Sequence, residues 1–280
     1  MRHFDDSEGF LQYAHARFTG TTPTIFDQPV DPAAGSTTSY DRLIGAIDAD
    51  EPALHVLDLG CGDGILCEKL LSARPDLGRL CGLDVSQAEI AAARRRLAGR
   101  PVELFEARAQ ALPFADASFD AVLSHMVLML LDPLDDAVRE IARILRPGGV
   151  FAAVVNTGGM SGPAQSLYRT HYDGVAKLHR EASFHRLGDP RAREREGLEA
   201  LLSPGNGFAS CAFEFFDFAL RLPPAGVARM YLNAYDAYCL DDAGLRKLDE
   251  ALTRDCAGLA ESDGLLSLAI GLCRVVGRRQ

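Results

Sequence analysis

The chain predicts an α/β fold: a doubly wound, mainly parallel sheet of seven strands with a helical cap inserted in its second half. Three observations carry that prediction. The apolar run His55-Val56-Leu57-Asp58-Leu59 opens directly into Gly60-Cys61-Gly62-Asp63-Gly64 and then into a helix-like segment from Ile65 to Ala73. Such a strand, tight turn and helix start needs glycine, which reaches positive φ and lets a ligand approach the backbone closely. Next, short apolar strands ending in an acid alternate with helical segments across short loops, the signature of a parallel sheet covered on both faces. Last, 280 residues at 48% hydrophobic and 24% charged are enough to bury one full core and have an ordinary globular composition.

Taken in order, Ser7 is placed to cap a helix through about Phe18, because Phe10, Leu11, Ala14 and Phe18 recur at helical spacing. Thr19 to Thr38, with Pro23, Pro29, Pro32 and Gly35, reads as irregular, either a lid over a ligand or a surface tether. We therefore expect residues 1–38 to form an N-terminal helix and lid segment, and 39–156 a ligand-binding core that begins with a short helix from Ser39 to Asp48. Beyond the glycine turn, Leu80-Cys81-Gly82-Leu83-Asp84 is a second strand, and Ser86-x-x-Glu89 is a capping box opening a helix to about Leu97. Pro101 to Ala107 and Ala121 to Ser124 give the third and fourth strands. Asp132 as N-cap with Pro133 at the first helical position starts a helix to Leu145, which Arg146-Pro147-Gly148-Gly149 stops before a fifth strand, Val150 to Val155.

After Asn156 the pattern breaks at Thr157-Gly158-Gly159, and a charge-mixed stretch containing Tyr168, His171, Tyr172, His179 and His185 follows. Residues 157–207 read as a helical cap over a substrate, or as a solvated helical excursion, and 208–280 complete the sheet. Cys211 to Leu222 is the sixth strand, Ala225 to Tyr238 and Asp242 to Leu259 are helices, and Leu265 to Val276 is the seventh strand. Tyr231, Tyr235 and Tyr238 fall at helical spacing and read as core.

Composition narrows the function. A formal net charge of −10 argues against a polyanionic partner, so no nucleic acid is expected. Seven cysteines without a C-x-x-C pair or a metal-ligand spacing suit reduced thiols in the cytoplasm and no metal centre. The segment Met1 to Asp6 lacks the apolar stretch of a secretory signal, and the longest apolar run, around Val127 to Leu131, is too short for a bilayer. No H-E-x-x-H, G-x-S-x-G or P-loop is present.

The spacing of the glycine turn separates two ligand classes. A dinucleotide fingerprint would put a third glycine or alanine where Ile65 stands, and Asp63 would set a negative charge beside a pyrophosphate. Asp58 to Gly64 instead reads D-x-G-x-G-x-G. It resembles the first motif of the class I S-adenosylmethionine-dependent methyltransferases. Similar agreement extends through Ala109-Gln110-Ala111-Leu112-Pro113-Phe114, Phe119-Asp120 and Leu145-Arg146-Pro147-Gly148-Gly149, across about residues 40 to 156.

That resemblance implies a Rossmann-like sheet that binds S-adenosyl-L-methionine, yields S-adenosyl-L-homocysteine, and methylates a small-molecule acceptor such as a secondary metabolite. It puts Asp58, Gly60 and Gly62 in the cofactor turn. Asp84 ends the second strand, where a carboxylate accepts both ribose hydroxyls, with Val85 beside the adenine. The Ala109 N–H and the Gln110 side chain would read the adenine edge, since Arg108 replaces the family's usual acid there. Ser124 and His125 end the fourth strand at the rim of the site. His125 would be either the catalytic base or a pocket wall, and Asn156, His171 and Tyr172 are the candidate substrate contacts. No N-P-P-Y follows the fourth strand, which disfavours methylation of nucleobase amines. The alternatives are a protein of the same fold that binds the cofactor without transferring a methyl group, and a nicotinamide-dependent oxidoreductase.

Overall fold

A computed structural model describes residues 1–18, 25–30, 37–47, 51–184 and 186–280. The chain opens with β1 (Arg2–Phe4), α1 (Ser7–Arg17) and α2 (Ser39–Ile44), then alternates β2 (His55–Leu59), α3 (Ile65–Ala73), β3 (Arg79–Asp84), α4 (Gln87–Arg96), β4 (Glu103–Glu106) and β5 (Phe119–His125). A 3₁₀ turn, Leu128–Leu130, leads to α5 (Leu134–Ile144), β6 (Leu145–Ser161), α6 (Ala164–His179), β7 (Ala182–Phe184) and α7 (Arg195–Leu201). The remainder is β8 (Phe208–Leu222), α8 (Pro224–Leu232), α9 (Asp242–Cys256) and β9 (Leu266–Arg279).

Seven strands form one sheet in the order β4-β3-β2-β5-β6-β9-β8. The first five are parallel, and β9 runs antiparallel to both its neighbours. Winding goes outward from β2 to β4 in one direction and from β5 to β6 in the other. The switch therefore lies between β2 and β5, where open α/β sheets hold their ligands. Adjacent residues of these central strands feed opposite faces: Val56 and Leu123 join one buried cluster, Leu57 and Val122 the other. The first cluster takes in α2, α3, α8 and α9 through residues such as Leu43, Leu66, Val227 and Leu248. The second takes in α5 and α7 through Val138, Ile141 and Leu198. With each fully buried Leu or Val worth about 1.5–3 kcal/mol, these faces are what make β2 and β5 rigid enough to position a site.

Several expectations are corrected locally. Asp6, not Ser7, caps α1 by accepting from the Gly9 N–H at 2.7 Å, and Ser7 Oγ instead accepts from the Gly188 N–H. Thr38 and Asp41 form the reciprocal capping box of α2. Pro133 stands at the N-cap of α5, while Asp132 pairs with Arg186 and its carbonyl accepts from Gln110. The fifth strand begins at Leu145 and does not stop at Asn156. It runs on to Ser161 because β9 continues to pair with it after an irregularity between Asn156 and Met160, so the segment expected to start the cap starts inside the sheet. The helix expected from Ala225 to Tyr238 ends at Leu232, which separates Tyr231 from Tyr235 and Tyr238. β1 and β7 add a small parallel sheet that ties the N-terminus to residues 182–184. Most of the expected lid, Thr19 to Thr38, lies outside the described residues. Among the described residues no helix is long and apolar enough to cross a membrane.

Candidate cofactor site at the switch point

The glycine turn is held open by its own backbone. Gly60, Gly62 and Gly64 have φ of 74°, 52° and 86°, a region in which a side chain is strained. A Cβ on Gly60 would come within 2.3 Å of Val127 Cγ2, and one on Gly64 within 2.8 Å of Leu97 Cδ1, whereas one on Gly62 would meet nothing closer than Glu89 Oε2 at 3.9 Å. The first and third glycines thus allow close packing, and the middle one leaves an open face. The Gly60 and Cys61 N–H groups both donate to the Leu83 carbonyl, at 2.7 and 2.9 Å, which fastens the turn to β3.

Asp84, at the tip of β3, closes the same arrangement. Its Oδ2 accepts from the Gly62 N–H at 3.0 Å and its Oδ1 from the Ser86 N–H at 2.8 Å. Burial raises the pKa of this carboxyl, and those two N–H groups work against the rise. Each oxygen keeps an acceptor site for a further donor. Asp58 is 1% exposed; burial raises its pKa to about 7, opposed by a hydrogen bond from Cys67 Sγ at 3.3 Å.

These groups border a cavity of about 180 Å³. Four carboxylates line it: Asp58, Asp63, Asp84 and Glu89. No lysine or arginine does among the described residues; Arg96, outside the lining, pairs with Asp63. Asp63 Oδ1 is buried without a hydrogen-bond partner. The other walls include Phe26, Tyr40, His125, Met126, Val127, Met129 and Leu130, and Met126 itself sits at a φ of 60° immediately after β5.

His125 is at the cavity, but in a state that suits a wall. Its ring stacks on Tyr40 at 4.0 Å and meets the Phe26 edge at 5.6 Å, and its Nε2 shares a 2.9 Å hydrogen bond with Ser39 Oγ. Burial lowers its pKa to about 3. An imidazole so reluctant to take a proton is a poor general base near neutral pH.

The other expected residues divide. Asp58, Gly60, Gly62 and Asp84 meet at the cavity, but Val85, Ala109, Gln110 and Ser124 are not among its lining residues. Ala109 is buried, Gln110 Nε2 donates to the Asp132 carbonyl at 3.1 Å, and Ser124 Oγ is buried without a partner. Arg108 turns outward to an ion pair with Glu8 of α1. Asn156 Oδ1 accepts from the Gly159 N–H. His171 pairs with Asp255 at 2.8 Å, and the Tyr172 hydroxyl accepts from Arg180 at 3.1 Å. The structure does not bring these last three to the cavity: Asn156 lies in β6, and α6, which carries the other two, packs on α9 with its tyrosines in the core beside Tyr231.

Residues outside the expected set take their places. His15 of α1, Ile25, Phe26 and Tyr40 come from the N-terminal part, and Asn233, Tyr235 and Tyr238 from the turn after α8. The tyrosine spacing was visible in the sequence but pointed to one helical stripe. Only the end of α8 at Leu232 turns Tyr235 and Tyr238 toward the site.

Comparison with known proteins places this geometry. A family model described as a methyltransferase domain matches residues 57–153. Over 114 residues the chain is 39% identical to a malonyl-[acyl-carrier protein] O-methyltransferase of Enterobacter lignolyticus, covering 41% of this chain and 43% of that protein. Over 117 residues it is 33% identical to a demethylmenaquinone methyltransferase of Desulfitobacterium hafniense, covering 40% and 46%. Each match therefore spans less than half of the relative's own length. The fold is shared with Haemonchus contortus phosphoethanolamine N-methyltransferase 2, solved with phosphomonomethylethanolamine and S-adenosylhomocysteine, at a TM-score of 0.59 and 15% identity over 99% of this chain and 60% of that one. On the matched core, the glycine turn and the sheet order together, residues 57–153 carry a methyltransferase domain, which agrees with the resemblance to the class I S-adenosylmethionine-dependent methyltransferases.

Proposed function

We propose that the cavity binds S-adenosylmethionine and that the protein transfers its methyl group to a small-molecule acceptor. The observation that carries the reading is the charge of the site. Four carboxyl groups converge on the glycine turn, Asp63 paired with Arg96 and Asp58 ionising only near pH 7, and no lysine or arginine lines the cavity among the described residues. A sulfonium and an ammonium are stabilised there, while a pyrophosphate would be repelled. The same observation counts against a nicotinamide dinucleotide.

The residues present fit the cofactor. Asp84 would hold the ribose hydroxyls on the lone pairs left over from Gly62 and Ser86. The open face of Gly62 admits a ligand against the backbone. Asp58 and Asp63 would face the cationic amino-acid end, Asp63 with an acceptor oxygen to spare. When bound, the sulfonium supplies an already activated methyl group. The chain's own task is then to hold an acceptor atom in line and keep water out, and positioning alone is worth as much as ~7–11 kcal/mol. Phe26, Tyr40, His125 and Met129 give that side an apolar, aromatic surface, suited to a small organic acceptor, a secondary metabolite among the candidates. In this reading His125 shapes the pocket as a neutral ring.

The test is mass spectrometry of a metabolite extract incubated with the protein and methyl-labelled S-adenosylmethionine. A species gaining one labelled methyl is the expected result. Calorimetric binding of S-adenosylhomocysteine with no labelled product would favour the non-catalytic alternative.

A further inference from the structure

The matched core, residues 57–153, forms only part of the cavity wall. Near Asp84 the enclosure is completed by His15, from α1, and Tyr235, from the turn after α8. The two come from opposite ends of the chain, yet they are held together. The Phe18 and Tyr238 rings stack at 4.1 Å with planes 6° apart, and Phe10 meets Tyr235 at 6.3 Å. The Asp84 carboxylate acts on both residues. It opposes the fall that burial imposes on the His15 pKa, and adds to the rise, mainly from burial and Tyr238, that takes the Tyr235 hydroxyl out of the titrating range. A phenol near a carboxylate that binds a diol has a proton to donate to that diol, and an imidazole has both a donor and an acceptor nitrogen.

We propose that His15 and Tyr235 form a two-armed clamp on the ribose that Asp84 holds, making cofactor affinity depend on segments either side of the family core as well as on that core. This rests on the reading that the cavity takes S-adenosylmethionine. Tyr235 donates to a ribose oxygen from one side while His15 contacts the sugar hydroxyls from the other, and the Phe18–Tyr238 stack keeps the arms in register.

The experiment is calorimetry of the full chain with two ligands, S-adenosylhomocysteine and 5′-methylthioadenosine, which keeps the ribose and adenine but lacks the amino-acid end. The variants are His15→Ala, His15→Gln and Tyr235→Phe, each checked by its melting profile. Loss of one hydrogen bond to the sugar should weaken both ligands alike, by about fivefold for His15→Ala and for Tyr235→Phe, with partial recovery in His15→Gln. Weakening of S-adenosylhomocysteine alone would assign the two side chains to the amino-acid end and overturn the clamp. So would variants that fold and bind both ligands as tightly as the unaltered chain. If the unaltered chain binds no S-adenosylhomocysteine, the cofactor reading itself fails and takes the clamp with it.

Discussion

Asp58 and His125 are two buried groups whose linkage to pH runs in opposite directions. The folded chain holds the Asp58 proton up to about pH 7, against an ordinary value of 3.8, so ionisation in the fold costs stability as pH rises across that interval. At ~1.36 kcal/mol per pH unit, the drift from this group alone is roughly 4 kcal/mol at most. His125 has its folded pKa lowered from 6.5 to about 3, so the unfolded chain takes up a proton first and stability is lost as pH falls below about 6.5. Between about pH 4 and 6.5 the two slopes oppose. Urea unfolding across pH 4.5–7.5 should therefore show Asp58→Asn more acid-labile than the unaltered chain, and His125→Gln losing stability more steeply toward neutral pH. Parallel profiles for all three would contradict the assigned burial. Asp84→Asn addresses binding. It removes a charged acceptor, and hydrogen bonds to charged groups are worth ~1.5–3 kcal/mol, so S-adenosylhomocysteine affinity should drop by about 10–100-fold in a titration. Asp84 and Asp58 were legible in the sequence because an acid ending an apolar strand has few structural reasons to be there. His15 and Tyr235 were not, since nothing in local spacing reports that residues 220 positions apart converge on one carboxylate.

The strand–turn–helix element rests on steric space that differs from one glycine to the next. Gly60→Ala would drive a methyl into Val127 at a φ of 74°, and strain of this kind costs on the order of 1–3 kcal/mol before the clash is counted. Gly62→Ala meets open space, so its stability cost should approach only the ~1–2 kcal/mol of a left-handed residue, while the added methyl occupies the face a ligand needs. The expected outcome is a division of labour: Gly60→Ala lowers the melting temperature more, Gly62→Ala lowers S-adenosylhomocysteine affinity more, and Val127→Ala partly rescues the first but not the second. Calorimetry beside thermal unfolding distinguishes them, and equal effects at both positions would refute the steric account. Elements of this kind were readable because their determinants are local: the α3 start follows from the glycines, and the α4 start from Ser86, whose Oγ accepts from the Glu89 N–H at 3.3 Å. The long β6 was not. Thr157-Gly158-Gly159 carries every local signal of a break, and only pairing with β9, from more than a hundred residues later, keeps the strand going to Ser161.

At the scale of the whole molecule, the cavity is smaller than its proposed ligand requires. About 180 Å³ lies below the ~300–1,000 Å³ typical of small-molecule sites, and the sheet side cannot yield because Leu57, Leu59 and Val122 are wholly buried beneath it. Expansion must come from the other side, where His15 of α1 and Tyr235 and Tyr238 line the cavity. The apolar anchor of α1 is short, Phe10, Leu11 and Ala14 being its buried hydrophobic residues. α1 is held at its flanks by part-exposed ion pairs, Arg108 with Glu8 and Arg17 with Glu181 and Asp242, and such pairs contribute about 0–1 kcal/mol each. The β1–β7 pairing, only three residues long, makes α1 and residues 182–184 move together, which gives the inserted segment a role in carrying that wall although it lines none of the cavity. If the ligand enters by this side and is then enclosed, saturating S-adenosylhomocysteine must oppose every later opening. At a hundred times Kd that opposition amounts to ~2.7 kcal/mol, about a hundredfold slower hydrogen exchange for α1 amides that exchange by local opening. Amides along the outer edge of β8, remote from the turn, should keep their rates. Protection confined to residues 58–64 and 84–89, with α1 exchanging as before, would show that the nucleoside is bound by the core alone and that the N-terminal helix is a bystander.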